Sequence, residues 1–587
     1  MANLGNKKEL IALSLRWTPT EEEKPHCHKI LEGLEAPHGL TALRINDYLG
    51  TSFPVWIGML PNMVELHLYD CKKSKNLPPL RQVPALQVLC LEGLEELQCL
   101  CSGGTFFNFP NLKELMLVRL PAFDRWCEVN WLQGEQVIFP HLKKLCIQKC
   151  EKLTALPEAA PLGPSCSQNH TEIRSAFPAL KVLKLKELDK FQKWGSADEA
   201  TQGQQIIFPC HEDLSVLDCK NLIALPEGPL LQELCGEDYE KARSAFPALK
   251  VLKPEGLENF ERWEQVGATQ GGDTMFPHLE ELWIGNCPKM TALPAGTSSL
   301  APSVGRSDIK TWSAFPALKV LKLKGLDKFQ KWGSADEATQ GQQIIFPCLE
   351  DLSVLDCKNL IALPEGPLLQ EFCGEDYENA RSAFPALKVL ELEGLENFER
   401  WEQVGATQGD TMFPYLEELW IGDCPKMTAL PAGTLSLEPL IGRSDITTRP
   451  LFPKLKTLTF RDLINFKSWG VTEVINSEQW TFPDLETVLI DGSPELTTLP
   501  EGPKLSSLTI REGHQQIFLA AIPIVIDSLS ELAMSFKDAE TALPAEHGAF
   551  ELADSNNIKS TLTRLELGWG CHFLFHSNIL GPCLDAI

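Results

Sequence analysis

Leu, Ile and Val recur along the 587-residue chain in one short phrase, Leu-x-x-Leu-x-(Leu/Ile/Val), with polar or charged residues in most of the intervening places. In Leu318-Lys319-Val320-Leu321-Lys322-Leu323 the last two leucines are two residues apart. A strand therefore carries Leu321 and Leu323 on one face and Lys322 on the other. The dipeptide Phe-Pro opens most of these phrases, at Phe109, Phe139, Phe177, Phe208, Phe246, Phe276, Phe315, Phe346, Phe384, Phe413, Phe452 and Phe482. Their spacing alternates between about 30 and about 38 residues. Weaker phrases follow Pro364-Glu365-Gly366, as Leu369-x-x-Phe372, and Pro500-Glu501-Gly502, as Leu505-x-x-Leu508-x-Ile510. The pattern thus predicts three strands in roughly 69 residues. The register extends to Leu10/Leu13/Leu15, Leu40/Leu43/Ile45, Met63/Leu66/Leu68 and Leu86/Leu89/Leu91, and at the other end to Leu529/Leu532/Met534 and Leu562/Leu565/Leu567.

One such strand cannot bury its apolar face alone, whereas stacked copies make a parallel sheet over a continuous core. The expected fold is an α/β repeat, a leucine-rich-repeat solenoid (horseshoe) with a parallel β-sheet on the concave face and an irregular, briefly helical convex side. Two flavours alternate. One continues as Leu326, Phe329 and Trp332, and the other, after Leu419-Trp420-Ile421, as Cys424-Pro425-Lys426-Met427-Thr428-Ala429-Leu430-Pro431. Cys71, Cys150, Cys219, Cys287, Cys357 and Cys424 each fall three residues after the last apolar strand position. There a small side chain caps backbone groups at the strand end, so these thiols are expected to be structural. The Trp residues of Leu-x-x-Phe-x-x-Trp (Trp194, Trp263, Trp332, Trp401) are expected to pack on the return side.

Residues 175–296 recur as 313–433 with eight substitutions and one deleted Gly. Two of the differences strike the core phrase: His211 stands opposite Leu349, and Pro254 opposite Leu392. A Pro in a strand forfeits a ladder hydrogen bond, and a His among leucines must be desolvated. Segments expected from these patterns are 1–108 (N-terminal repeats), 109–174 (Phe-Pro repeats), 175–312 and 313–450 (the two copies), and 451–587 (C-terminal repeats). Neither end shows a polar capping repeat, which implies a piece of a longer array or protein.

Composition narrows the function. The formal net charge is −26, which disfavours binding of nucleic acid or of anionic lipid. No apolar run is long enough to span a bilayer, and Lys7, Lys8 and Glu9 interrupt any signal-peptide layout. Nineteen unevenly spaced cysteines argue against a secreted disulfide framework and for a reducing compartment. No Gly-x-x-x-x-Gly-Lys-(Ser/Thr) loop and no His-Glu-x-x-His or paired Cys-x-x-Cys occurs. His26-Cys27-His28 is the one dense group of metal-ligand types, in a polar loop. No catalytic residue, cofactor or metal is expected, and recognition falls to the outward strand positions. These include Lys184, Lys186, Trp283, Lys322, Lys324, Glu391, Glu393, Trp420, Arg461 and Arg511. An outward Trp is costly to leave wet, so Trp283 and Trp420 serve either a partner or a neighbouring strand.

Several stretches resemble one family. Lys8-Glu9-Leu10 to Trp17, Ile30-Leu31-Glu32-Gly33-Leu34 with Pro37-His38, and Phe53-Pro54-Val55-Trp56-Ile57 before Cys71 and Leu77-Pro78-Pro79-Leu80 look like the start of a particular repeat region. That region belongs to plant coiled-coil nucleotide-binding leucine-rich-repeat (NLR) disease-resistance proteins. The Phe-Pro-x-Leu and Cys-Pro-Lys-Met units are similar to cereal-type members. The resemblance implies an immune-recognition module, cytoplasmic with the nucleus also open, whose partner is a pathogen effector or a guarded host protein. It also implies contact with an NLR nucleotide-binding domain, in cis or in trans; the coiled-coil and nucleotide-binding domains themselves are not found in these residues. Two other readings stand beside it: a non-signalling receptor fragment or decoy, and a substrate-receptor subunit of a ubiquitin ligase. The last needs an N-terminal helical adaptor, and a first strand at Leu10 leaves no room for one.

Overall fold

The computed structural model describes residues 4–18, 26–80, 83–100, 109–126, 139–157, 177–192, 194, 210–225, 248–261, 276–293, 315–330, 332, 346–363, 384–399, 413–430, 435–436, 447–448, 452–467, 469, 482–496, 498–500, 502–512, 529–535 and 562–567. The chain divides into two compact units, residues 1–290 with 296–315, and residues 291–295 with 316–587. The division falls beside the start of the second copy.

In the first unit the strands are β1 (Ala12–Arg16), β2 (Ala42–Asn46), β3 (Glu65–Tyr69), β4 (Val88–Glu92), β5 (Glu114–Val118), β6 (Lys144–Gln148), β7 (Val182–Lys186), β8 (Asp213–Leu217), β9 (Val251–Glu255) and β10 (Glu281–Gly285). Each lies parallel to the next in chain order. A short helix, α1 (Cys27–Glu32), lies between β1 and β2. The second unit has β11 (Val320–Lys324), β12 (Asp351–Leu355), β13 (Val389–Glu393), β14 (Glu418–Gly422), the two-residue β15 (Leu435–Ser436) and β16 (Thr447–Thr448), then β17 (Thr457–Arg461), β18 (Thr487–Asp491), β19 (Ser507–Arg511), β20 (Glu531–Met534) and β21 (Arg564–Leu567). Here too each ladder strand is parallel to the next, with β14 pairing directly to β17 while β15 and β16 form a small antiparallel pair of their own. This succession of parallel five-residue strands over a leucine core is the leucine-rich-repeat fold.

One expectation falls outside the described residues. A third strand within each 69-residue stretch was expected at phrases such as Leu369-x-x-Phe372. β12 pairs along its whole length with β13, and β8 with β9. Among the described residues the stretch therefore shows two neighbouring ladder strands. Among the described residues the related phrase at Leu505–Ile510 joins the ladder, as β19.

The core is a set of columns that repeat from layer to layer. The two strand apolar residues are fully buried nearly everywhere, as with Leu66 and Leu68, Leu321 and Leu323, or Leu390 and Leu392. Each such side chain contributes roughly 1.5–3 kcal/mol by leaving water. The Phe of Phe-Pro forms a second column. Rings of Phe109, Phe139 and Phe177 stack nearly parallel with centroids 5.8 and 5.6 Å apart, and Phe346, Phe384, Phe413, Phe452 and Phe482 do so at 5.8 to 6.2 Å. Phe208 and Phe246 lie outside the described residues. Trp194 and Trp332 are buried as expected, and their indole N–H groups donate to the carbonyls of Ala224 and Ala362 one layer on, both at 2.9 Å. Trp263 and Trp401 are outside the described residues.

All six cysteines of the strand-end slot are buried. Cys71 Sγ donates toward the carbonyls of Ile45 in the preceding layer and Tyr69 in its own, and Cys150 does the same toward Leu117 and Gln148. The slot therefore ties neighbouring turns together. Burial pushes the thiols of Cys71, Cys150, Cys219, Cys357 and Cys424 up to about 12 and that of Cys287 to about 11, so they stay protonated and unreactive.

The two irregular core residues sit where the phrase places them. His211 is fully buried. Burial drives its pKa down to about 3, with a backbone hydrogen bond at Leu180 acting in the opposite sense, so the ring is neutral. Pro254 is within β9, facing Val216 of β8 in full register. Toward β10 the pairing holds at Leu252 and Glu255 but lapses between them. The carbonyl of Lys250 accepts from Glu281 and the N–H of Gly256 donates to Gly285, so alternate residues of β9 address β10. Pro254 is one of these, and its imide nitrogen has no hydrogen to give. In the second copy, where Leu392 replaces it, all five pairs of β13 and β14 form.

Candidate functional site

All ten sequence-selected residues lie on β-strands, on the side opposite the buried leucines. They are divided between the units: Lys184, Lys186 and Trp283 belong to the first, and the other seven to the second. Within the first unit, β8 and β9 separate Lys184 from Trp283.

The central outward position of each strand forms a row. In the first unit it reads Ser14, Arg44, His67, Cys90, Met116, Cys146, Lys184, Ser215, Lys253. Its first part was not singled out from the sequence. His67 stacks on Tyr69, centroids 5.9 Å apart, and Cys90, Met116 and Cys146 place three sulfur side chains on consecutive strands. Period-two alternation reveals that these residues point outward, but not that strands 23 to 38 residues apart in sequence align them without a register slip. Burial raises the thiols of Cys90 and Cys146 above the ordinary range. Arg119, just beyond β5, pairs with Glu92 at 2.9 Å and Asp70 at 3.3 Å.

The end of the first unit presents Trp283, 40% exposed, with Lys253 Nζ 4.0 Å from its ring centroid. In the second unit the row reads Lys322, Ser353, Glu391, Trp420, Thr459, Leu489, Thr509, Ala533, Glu566. Lys322 Nζ is 3.8 Å from Asp351, and Ser353 donates a hydrogen bond to the Glu391 carboxylate. The carboxyls of Asp351 and Glu393 are pushed above the usual range, first by burial. Like-charged neighbours add to this, Glu391 at Asp351, and Asp356, Glu391 and Asp423 at Glu393, while Lys322 and Arg461 oppose it. Arg461 and Arg511 are the exposed last residues of β17 and β19.

Elsewhere the chemistry is dispersed. Cys27 is buried, and His28 Nδ1 lies 3.2 Å from the Ser52 carbonyl and 3.3 Å from Tyr48 Oη. Among the described residues no group of three side chains could hold a metal ion. No helix among them is long and apolar enough to cross a membrane.

A family model described as R13L1/DRL21 LRRs matches residues 1–94. A putative disease resistance protein of Arabidopsis thaliana is 24% identical over 596 aligned residues, covering 90% of this chain and 39% of that protein. The chain is a leucine-rich-repeat module similar to plant disease-resistance proteins. The putative disease resistance RPP13-like protein 1 of the same plant is 29% identical over 27% of this chain and 17% of its own length. The putative disease resistance protein RGA4 of Solanum bulbocastanum is 30% identical over 25% of this chain and 16% of its own. This module thus spans about two fifths of the first relative and less than a fifth of the other two.

Proposed function

We propose that this module is the protein-recognition part of an intracellular plant immune receptor, non-catalytic, with the outward ladder face as its contact surface. The observation that carries the reading is the contrast between the two sides of the strands. One side repeats the same leucines layer after layer, while the other changes from arginine and histidine through sulfur to lysine, tryptophan and glutamate. A varied, half-exposed face on a uniform frame suits recognition of a specific protein surface. The occupant is a pathogen effector or a guarded host protein, and an NLR nucleotide-binding domain is the second partner, held in its resting state by contact with the repeats.

The test is complementation. The coiled-coil and nucleotide-binding portion of a related disease-resistance protein, deprived of its repeats, is co-expressed with this chain in leaves. Association and suppression of the defence output are expected. Failure of the two to associate contradicts the reading. The decoy reading keeps a specific observation in its favour, the ladder lapse at Pro254 and the buried His211; binding of an effector without any effect on output decides for it.

A further inference from the structure

The duplication supplies an internal comparison at the outward tryptophan. In the first copy Lys253 Nζ sits over the Trp283 ring and 3.8 Å from Glu281 Oε2. The chain's own ammonium thus occupies a seat made of an indole face and a carboxylate. The second copy keeps the indole as Trp420 and the carboxylate as Glu418, but replaces the lysine by Glu391. Glu391 is directly opposite Trp420 across β13 and β14. The cation has been withdrawn and a third acid, after Glu418 and the retained Glu393, put in its place.

The surroundings compensate that charge only in part, through the Ser353 hydroxyl at Glu391 and Arg461 near Glu393. Glu393 and Asp351 are held above the usual carboxyl range partly by Glu391 itself, and Lys322 is engaged at Asp351. The indole edge packs on Gly422, where Trp420 Cη2 comes within 3.1 Å and Arg461 Cβ within 3.5 Å of the point a Cβ would occupy. A planar aromatic surface flanked by carboxylates attracts a cation that carries its own apolar stem, which describes lysine and arginine side chains.

We propose that the β13–β14 face receives a lysine or arginine side chain of a protein partner, seated between the Trp420 indole and the carboxylates of Glu391 and Glu418, in the place Lys253 fills in the first copy. The assignment rests on the ladder face being the recognition surface and specifies the partner's chemistry there. Contact residues of the two copies consequently favour different partner charges: the first is satisfied internally, the second by its ligand.

The experiment uses the full chain labelled with 5-fluorotryptophan, with the fluorine resonances of Trp283 and Trp420 assigned by Trp283→Phe and Trp420→Phe. Hexaarginine and hexaglutamate peptides are the probes. Hexaarginine is expected to shift the Trp420 resonance saturably and to leave Trp283 in place, and hexaglutamate to move neither. Glu391→Gln should weaken the Trp420 response about tenfold. Lys253→Glu should make Trp283 titrate as Trp420 does, which guards against a variant that merely misfolds. A Trp420 resonance indifferent to hexaarginine overturns the proposal. So does equal movement of both resonances in the unaltered chain, the sign of diffuse attraction to an acidic protein. Neither outcome bears on the association with the nucleotide-binding portion, so failure of the seat and failure of the recognition reading are told apart.

Discussion

At the scale of single residues, the frame depends on positions whose demands are local. The residue after nearly every strand adopts a left-handed backbone, Asp or another polar residue in some layers and Gly in others, as at Asp356 (φ 54°) and Gly394 (φ 66°). A Cβ on Gly394 would stand 2.6 Å from Asp356 Oδ1, so Gly394→Ala meets both the backbone penalty and a contact. It should cost about 1–3 kcal/mol, measured by chemical denaturation. The sequence phrase showed the Cys slot but not this position, because Asp, Arg, Lys, Glu, Asn and Gly all fill it. It also missed the Asn side chains that bridge layers, such as Asn397 to the Lys358 carbonyl at 2.9 Å and Asn465 to Pro425 at 2.7 Å. Their partners lie 39 and 40 residues away. Thiol chemistry follows from burial. At pH 8 iodoacetamide should label exposed Cys210 and Cys348 in the folded chain and spare Cys71, Cys150, Cys219, Cys357 and Cys424, with peptide mass spectrometry as the readout. His211 titrates with the opposite consequence. Its folded pKa, about 3, lies below the ordinary 6.5, so the unfolded chain takes the proton first. Stability is intact above pH 6.5 and is lost as pH falls from there toward 3, by about 2 kcal/mol at pH 5. His211→Leu should abolish that acid sensitivity, read as amide exchange of β7 to β9 against pH.

At the scale of elements, strand positions were legible because period-two alternation and the Phe-Pro start coincide. The structure places β7, β11 and β17 over the predicted phrases. The phrase Leu369-x-x-Phe372, outside the described residues, carries only half of the apolar pattern: no second alternating apolar residue follows Phe372 as Ile510 follows Leu508. Leu505-x-x-Leu508-x-Ile510, with the full phrase, does enter the ladder as β19. The damage done by Pro254 was legible in kind but not in side. Only the alternation of ladder bonds shows that the lapse falls toward β10 and leaves β8 paired. Pro254→Leu should therefore restore the β9–β10 pairing. It should slow amide exchange at Trp283 and Gly285 while leaving β8 unchanged, and should add about 1–3 kcal/mol of local stability.

At the scale of the whole molecule, each unit is a ladder whose one face is spent on the core and whose other face is available. From the pleat alone the sequence indicated which side of each strand these residues occupy. It could not show that Lys253 covers Trp283 while Glu391 faces Trp420, because that depends on which strands become neighbours. Similarity to plant disease-resistance proteins, along 90% of the chain in the longest alignment, gives the face its proposed use in immune recognition. The most direct measurement is photo-cross-linking in plant cells. A photoreactive phenylalanine is placed in turn at the outward positions Trp283 and Trp420 and at Ile223 and Ile361, which are 57% and 50% exposed in the turns that follow the strands. Protein adducts from the ladder positions, and none from the turn positions, are predicted. Adducts from the turns with a silent ladder face would contradict the claim that this face is where the module meets its partner.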